Sequence, residues 1–273
     1  MKIIGVGDCV LDEYVHQKHL YPGGNSVNVP VLAKRAGSQS AAYIGILGTD
    51  QSSQQFRNYL ISEQIDISRI RIAEGPMARN FIKLDSSGDR SFVGNNGDNV
   101  VQKMLRLQLN EQDISLIRQY DVLHTSFHSE IDEIIPKSLG NISISLDFSD
   151  AYDQKALQKY CPGIDFVFLS AGKFNERYTD DCIETALESG AKMVILTQGV
   201  RGSTIITKKK KHIEPATSIK TVDTLGAGDA YIAGYLEAYY TSEGNIQVAA
   251  RMASEFAARN CLHNGASGVF FPS

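Results

Sequence analysis

The stretch TVDTLGAGDAYIAGY, Thr221 to Tyr235, sets three small residues, Gly226, Ala227 and Gly228, directly before an acid, Asp229, and follows them with a helical pattern. Glycine permits a close approach of backbone to ligand. The first peptide N–H groups of a helix have no partner inside it and, with the helix dipole, form a site for phosphate. GAGD therefore reads as an anion cradle with a carboxylate beside it. A carboxylate there repels phosphate. That cost makes sense if its task is to take a proton from a hydroxyl attacking the phosphate, general-base work that contributes about 10²–10⁴-fold. The same residues also suit an ordinary helix N-terminus with a favourable first-turn acid, so other stretches must be weighed with it.

PGGNSVN, Pro22 to Asn28, is a second glycine turn entering an apolar-patterned helix. Asn25 and Asn28 lie three apart and can face one ligand from the first turn; Asn25 would equally serve as a plain helix N-cap. GDCVLDEY places Asp8 and Asp12 at the end of the first strand and just beyond, where carboxylates can accept hydrogen bonds from sugar hydroxyls or stay solvated. TQGVRGS, Thr197 to Ser203, supplies two more glycines after a buried strand, suited to backbone contact with a nucleotide.

The elements that must position these residues follow from hydrophobic patterning. KIIGVG and AAYIGILG read as strands, with a helix over Gln51–Glu63 after the second and a hairpin from RNFIKL and RSFVG joined by DSSGD. From about Glu111 the chain alternates. Helices are expected over Glu111–Gln119, Ser129–Leu139, Gln154–Tyr160, Asp180–Ser189, Ala227–Tyr240 and Asn245–Leu262. The apolar runs DVLHTS, ISISLDF, DFVFLS and KMVILTQG between them read as buried parallel strands, and STIIT with KKKHIEP as a further hairpin. The expected fold is α/β: one domain over residues 1–273, with a central mostly parallel sheet and a small β lid from about 11–22 and 72–95. Ligands of open parallel sheets bind beyond the carboxyl ends of the strands, which points at Asp8, Gly48, Asp147, Ser170 and Thr197.

The 273 residues carry a formal charge of -4, which argues against a general nucleic-acid or membrane-surface role. No apolar run approaches the ~18 residues needed to span a bilayer. The short apolar start MKIIGVGD is broken by Asp8, so no signal peptide is apparent, and the four scattered cysteines read as free thiols. A cytoplasmic location is the expectation. The run Lys208–Lys211 reads as a solvated hairpin turn.

Taken together, GGNSVN and DTLGAGD, roughly 200 residues apart, with Asp12 and TQGVRGS in order between and around them, resemble the signatures of the PfkB or ribokinase-like carbohydrate kinases. The resemblance spans almost the whole chain. It implies a ribokinase-like three-layer sandwich and an ATP-dependent kinase acting on a sugar-like alcohol. By that resemblance Asp229 is the catalytic base, and Gly226, Ala227 and Gly228 give the anion hole. Asp12, Gly24, Asn25 and Asn28 hold substrate hydroxyls, and Thr197, Gly199, Gly202, Gly226 and Gly228 lie along the nucleotide; apart from the resemblance, Arg90 of the lid either touches substrate or is a solvated hairpin arginine. Phosphoryl transfer needs mainly positioning and charge stabilisation, with Mg2+ on the phosphates. Glu176 matches the acid of the family's Asn-x-x-Glu pair and would meet the metal through water; Lys173 stands in place of the Asn. Some family members use a monovalent cation such as K+, for which Asp223 is the neighbour.

Within the family the chain is most similar to fructoselysine 6-kinases, on the short spacer from Asp12 to Gly23, the YDVLHTS strand and SLDFSD ending in Asp150. The implied reaction is phosphorylation of the 6-hydroxyl of a fructosamine. Such a substrate has a cationic amine and an amino-acid tail, for which Asp8, Glu13, Tyr14 and Asp98 are candidates; His124 either lines the pocket or sits satisfied in the core. Another ketose or a nucleoside remains an alternative acceptor. So does a non-catalytic sugar- or nucleotide-binding protein of this fold, although that should lack the base. GVGDCV has Val10 where a dinucleotide fingerprint needs glycine, and no P-loop motif occurs. The lid strands leave an exposed edge, which pairing of two lids in a homodimer would cover.

Overall fold

The computed structural model describes residues 1–84, 90–130, 139–172 and 174–272. The DSSGD loop, Lys173 and most of the helix expected over Ser129–Leu139 lie outside those residues. In chain order the elements begin with β1 (Lys2–Val6), β2 (Val10–Tyr14), β3 (His19–Gly23), α1 (Asn25–Ala36), β4 (Ser40–Ile44), β5 (Ile46–Leu47), α2 (Gln51–Ser62), β6 (Ile65–Asp66) and β7 (Arg71–Ile72). They continue with β8 (Arg79–Leu84), β9 (Arg90–Asn95), α3 (Val101–Met104), α4 (Glu111–Ile117), β10 (Val122–Ser126), β11 (Ser143–Asp147), α5 (Gln154–Tyr160), β12 (Phe166–Ser170) and α6 (Glu176–Glu188). The last are β13 (Met193–Thr197), β14 (Ser203–Thr207), β15 (Lys211–Glu214), α7 (Ala227–Thr241), α8 (Ile246–Asn260) and β16 (Phe271–Pro272).

Nine strands form the main sheet in the order β15-β14-β13-β12-β11-β10-β1-β4-β6. The pairs from β13 across to β6 are parallel, and only the β13–β14–β15 edge is antiparallel. The period-2 geometry of strands sends alternate side chains to opposite faces. Ile3, Val122, Phe166, Phe168 and Ile195 pack with Val27, Val31, Leu32, Tyr235, Leu236 and Ala253 of α1, α7 and α8. Val167, Leu169 and Val194 meet Leu157, Cys182 and Ala186 of α5 and α6 on the other face, and Ile4 and Leu123 meet Ile117 of α4. Both faces are covered, which is why these strands read as continuous apolar runs, and the result is the expected three-layer α/β sandwich.

A second sheet, β16-β3-β2-β8-β9, is built from the two expected stretches plus a strand near the end of the chain. Three departures from expectation have local causes. AAYIGILG breaks at Gly45 into two strands that join different sheets. Helix α6 starts at Glu176, not Asp180, because the Asn175 side chain accepts from the Tyr178 N–H and caps it there. The two-residue strands β6, β7 and β16 are too short to show any periodicity.

The strand order reverses at β1: β4 lies on one side of it and β10 on the other. That switch point is where an open parallel sheet forms a crevice at its carboxyl edge. Asp8 follows β1 there, Ser126 ends β10 and Asp147 ends β11.

Candidate active site

Helix α1 begins without a capping side chain of its own. Gly24 occupies its N-cap position at φ 101°, and a Cβ there would stand 2.7 Å from the Cα of Cys9. The cap comes instead from the β1–β2 loop. The Asp8 carboxylate accepts from the backbone N–H of Asn25 at 3.0 Å and from the hydroxyls of Ser26, Ser126 and Ser129 at 2.7–2.8 Å. Asn25 is thereby released from the capping task that its position suggests, and its side chain turns to the crevice.

Asn25 Nδ2 donates to Asp229 Oδ1 at 2.7 Å and to Asp147 Oδ2 at 3.0 Å. One turn on, Asn28 Nδ2 donates to Asp229 Oδ2 at 2.7 Å. Both oxygens of Asp229 are therefore held by amides from the first turn of α1, as the three-residue spacing allows. Asn28 is almost wholly buried, and its Oδ1, itself buried, has no partner among the described residues.

Asp229 itself sits in the first turn of α7. Gly226 caps that helix at φ 74°, with Ala266 so near that a Cβ would lie 2.5 Å from its Cα. Nothing stands within 4 Å of where a Cβ of Gly228 would point. The turn opens onto a cleft of about 500 Å³. Thr197, Gly199, Gly202, Gly226, Ala227, Gly228 and Asp229 all line it, so the expected cradle and the expected nucleotide contacts share one space. Asp147 and Ser170 line it as well, and Leu225, Ile232, Ala257 and Ala258 give part of it an apolar wall.

The electrostatics are unusual for a pocket meant to take an anion. Burial pushes the Asp147 carboxyl up to about 7; Asp229, Asp8 and Asp150 add to the rise, against the Ser149 N–H that donates to it. His124 is fully buried, and desolvation takes it down to about 3, so its ring is neutral.

Other expected residues lie further out. Asp12 is buried in β2 beside Gly23 and accepts from Asn80 Nδ2 at 3.1 Å. Arg90 starts β9, and its side chain lies outside the described residues. Glu176 opens α6 with its side chain 85% exposed, 3.4 Å from Arg201. That suits contact through water, since Mg2+ usually keeps several waters and takes only one or two carboxylates. Among the described residues no group of three or more His, Cys, Asp or Glu is arranged to hold a metal directly.

The candidates for a cationic tail are engaged elsewhere. Asp8 caps α1, Glu13 pairs with Arg79 at 3.4 Å, and Asp98 pairs with Lys103 at 2.6 Å on the surface. Tyr14 donates its hydroxyl to the buried Asp223. Asp223, expected beside a monovalent cation, also accepts from the N–H groups of Leu225 and Gly265, so three protein donors occupy most of its acceptor positions. His124 is a core residue, bonded at both ring nitrogens. Asp147, Asn80 and Ser145 carried no role in the sequence reading. Only Asp147 had a signal, its place at the end of a buried strand.

A nucleotide-sized cleft at a helix N-terminus, with one acid held by two asparagines, is the arrangement of a phosphoryl-transfer enzyme. The chain belongs to the pfkB family of carbohydrate kinases, whose model matches residues 6–272. Membership carries with it ATP as donor and a divalent metal. The chain is 39% identical over 272 residues to fructosamine kinase FrlD of Bacillus subtilis, covering all of this chain and 95% of that protein. It is 30% identical over 233 residues to fructoselysine 6-kinase of Escherichia coli, covering 85% and 86%. In fold it is similar to a nucleoside kinase of Methanocaldococcus jannaschii (TM-score 0.77, 22% identity, 97% of this chain and 93% of that one). It is likewise similar to aminoimidazole riboside kinase of Salmonella enterica (TM-score 0.71, 17% identity, 98% and 95%). Among the described residues no helix is long and apolar enough to cross a membrane.

Asp147 yields a stability prediction. The folded state keeps its proton up to about 7, whereas the unfolded chain loses it near the ordinary value of 3.8. Between those values the folded state binds more protons, so stability from this group falls as pH rises and stays lower above the window. Asp147→Asn should therefore raise Tm more at about pH 8 than at about pH 4. Thermal denaturation at both pH values checks it; equal shifts would remove Asp147 as the source.

Proposed function

We propose that this kinase transfers the γ-phosphoryl group of ATP to the 6-hydroxyl of a fructosamine such as fructoselysine. The observation that carries the chemistry is the Asp229 carboxylate, set in the first turn of α7 and gripped by Asn25 and Asn28 at 2.7 Å each. The full-length 39% identity to a fructosamine kinase carries the substrate class. The acceptor hydroxyl gives its proton to Asp229 as its oxygen bonds to the γ-phosphorus, and the bond to the β–γ bridging oxygen breaks to release ADP. The start of α7, with Gly226, Ala227 and Gly228, stabilises charge on the transferring group. Thr197, Gly199 and Gly202 lie along the nucleotide.

Asp12, Gly24, Asn25 and Asn28 bind sugar hydroxyls, and Arg90 acts from the second sheet, which serves as a lid. Glu176 would hold a divalent metal such as Mg2+ through water, and the bound ion would neutralise phosphate charge. The edge strand β9 carries the exposed Phe92 and Val93, which suits pairing of two lids in a homodimer.

Asp229→Asn should lower kcat by about 10²–10⁴-fold while nucleotide binding, read by calorimetry, survives. Undiminished turnover would take Asp229 out of the mechanism. ADP release measured across fructoselysine, other fructosamines, simple ketoses and nucleosides should favour a fructosamine in kcat/KM. Turnover confined to ketoses or nucleosides would reassign the acceptor and leave the kinase chemistry standing. Sedimentation at micromolar concentration should give a dimer, and a monomer would sink the lid pairing.

A further inference from the structure

The acid's grip depends on which way the Asn25 amide points, and a buried chain behind it decides that. His124 Nε2 lies 2.7 Å from Asn25 Oδ1, and His124 Nδ1 lies 2.9 Å from Ser145 Oγ. His124 and Ser145 are both fully buried on the neighbouring strands β10 and β11, directly paired in register. Packing thus holds both side chains. A flipped Asn25 would turn its carbonyl oxygen onto the Asp229 carboxylate and leave two N–H groups facing the imidazole.

We infer that His124 is a positioning residue for the base: its Nε2–H locks the Asn25 amide with both N–H groups toward Asp229 and Asp147. The reading rests on Asp229 as the base. The direction of every bond follows from the two acids. Asn25 must present Nδ2 to Asp229, so Oδ1 accepts from His124 Nε2–H. The ring is neutral, so Nδ1 is an acceptor and takes the Ser145 hydroxyl proton. The Ser145 hydroxyl, which can donate or accept, accommodates that tautomer; His124 holds the amide rotamer, and the amide orients the carboxylate. Ser145 and His124 do this without touching substrate. The two catalytic-side asparagines differ accordingly: Asn25 has its carbonyl oxygen tied down behind it, whereas the buried Oδ1 of Asn28 has no partner among the described residues.

The test combines spectroscopy on the unaltered protein with two substitutions. Nitrogen NMR of protein labelled at histidine should show the His124 imidazole neutral with its proton on Nε2; a proton on Nδ1 overturns the inference. His124→Leu fills the space but removes the donor. It should lower kcat on the accepted sugar on the order of tenfold to a hundredfold, as misplacement of a reacting group does, with the KM for ATP unchanged. His124→Gln, which restores an N–H donor, should recover part of that loss. A role in packing alone would show no such rescue, and equal kcat in wild type and His124→Leu overturns the inference. The two readings fail separately. Turnover surviving Asp229→Asn removes the base beneath the inference. Asp229→Asn inactive with His124→Leu fully active overturns the positioning role and leaves the base in place.

Discussion

The start of α1 is capped from outside the helix, and the active-site arrangement depends on that bond. A helix that opens on glycine leaves its first N–H groups without a partner. Here Asp8 reaches back from the end of β1 to supply one, 3.0 Å from the Asn25 N–H. Three serine hydroxyls, from α1 and from the end of β10 and the turn after it, close around the same carboxylate. The bond ties the helix to the two strands flanking the switch point of the sheet. It also decides what Asn25 does. Had the asparagine capped its own helix, its amide would be spent on the backbone. With Asp8 in that role the amide is free to cross to α7, and the starts of two helices far apart in sequence are joined through one acid.

That acid stands in poor electrostatic company. Asp147 shares the Asn25 amide with it, and Asp8 and Asp150 are near enough to act on Asp147. A pocket of carboxylates would repel phosphate if all were charged. Two features limit the repulsion. Neutral amide donors bring polarity to Asp229 without adding a cation that would compete for the phosphate. Burial keeps Asp147 protonated up to about 7, which removes one negative charge from the cleft in acidic and neutral solution. A divalent metal at the phosphates would act in the same sense by adding positive charge. The neutral His124 completes the pattern, since a charged imidazole there would shift the balance of the whole network.

Much of this was legible in the sequence, for reasons that differ by feature. The parallel strands stood out because both faces of the sheet are covered and the runs are apolar throughout. The acid and its glycines stood out because glycine at φ 74° beside Ala266 admits no side chain. The asparagine pair was visible from its spacing, although the partners were expected to be sugar hydroxyls and the nearest one proved to be Asp229. What stayed hidden depends on pairing across long separations. Nothing local marks Asp8 as a cap rather than a ligand, because its partners lie as far away as Ser129. Asn80 and Ser145 acquire meaning only through the register of strands that set them beside Asp12 and His124. Among the candidates for a cationic tail, Asp8, Glu13 and Tyr14 have partners far away in sequence, whereas Asp98 pairs with Lys103 five residues on.

The placement of Asp12 shows how far such long-range pairing reaches. Strand β2 points Asp12 and Tyr14 to one side, two residues apart. Tyr14 ends in a hydroxyl bonded to Asp223, four residues before α7, and Asp223 also takes the N–H groups of Leu225 and Gly265. A carboxylate buried to 1% exposure needs such donors to stay inside. Losing the tyrosine would leave it short of one. The second sheet is thus fastened to the turn before α7 through a bond that is costly to break, and around it Tyr14, Tyr21, Ile82 and Leu225 form their own apolar cluster. Because the same strand carries Asp12, the distance from Asp12 to the turn is not free to vary independently.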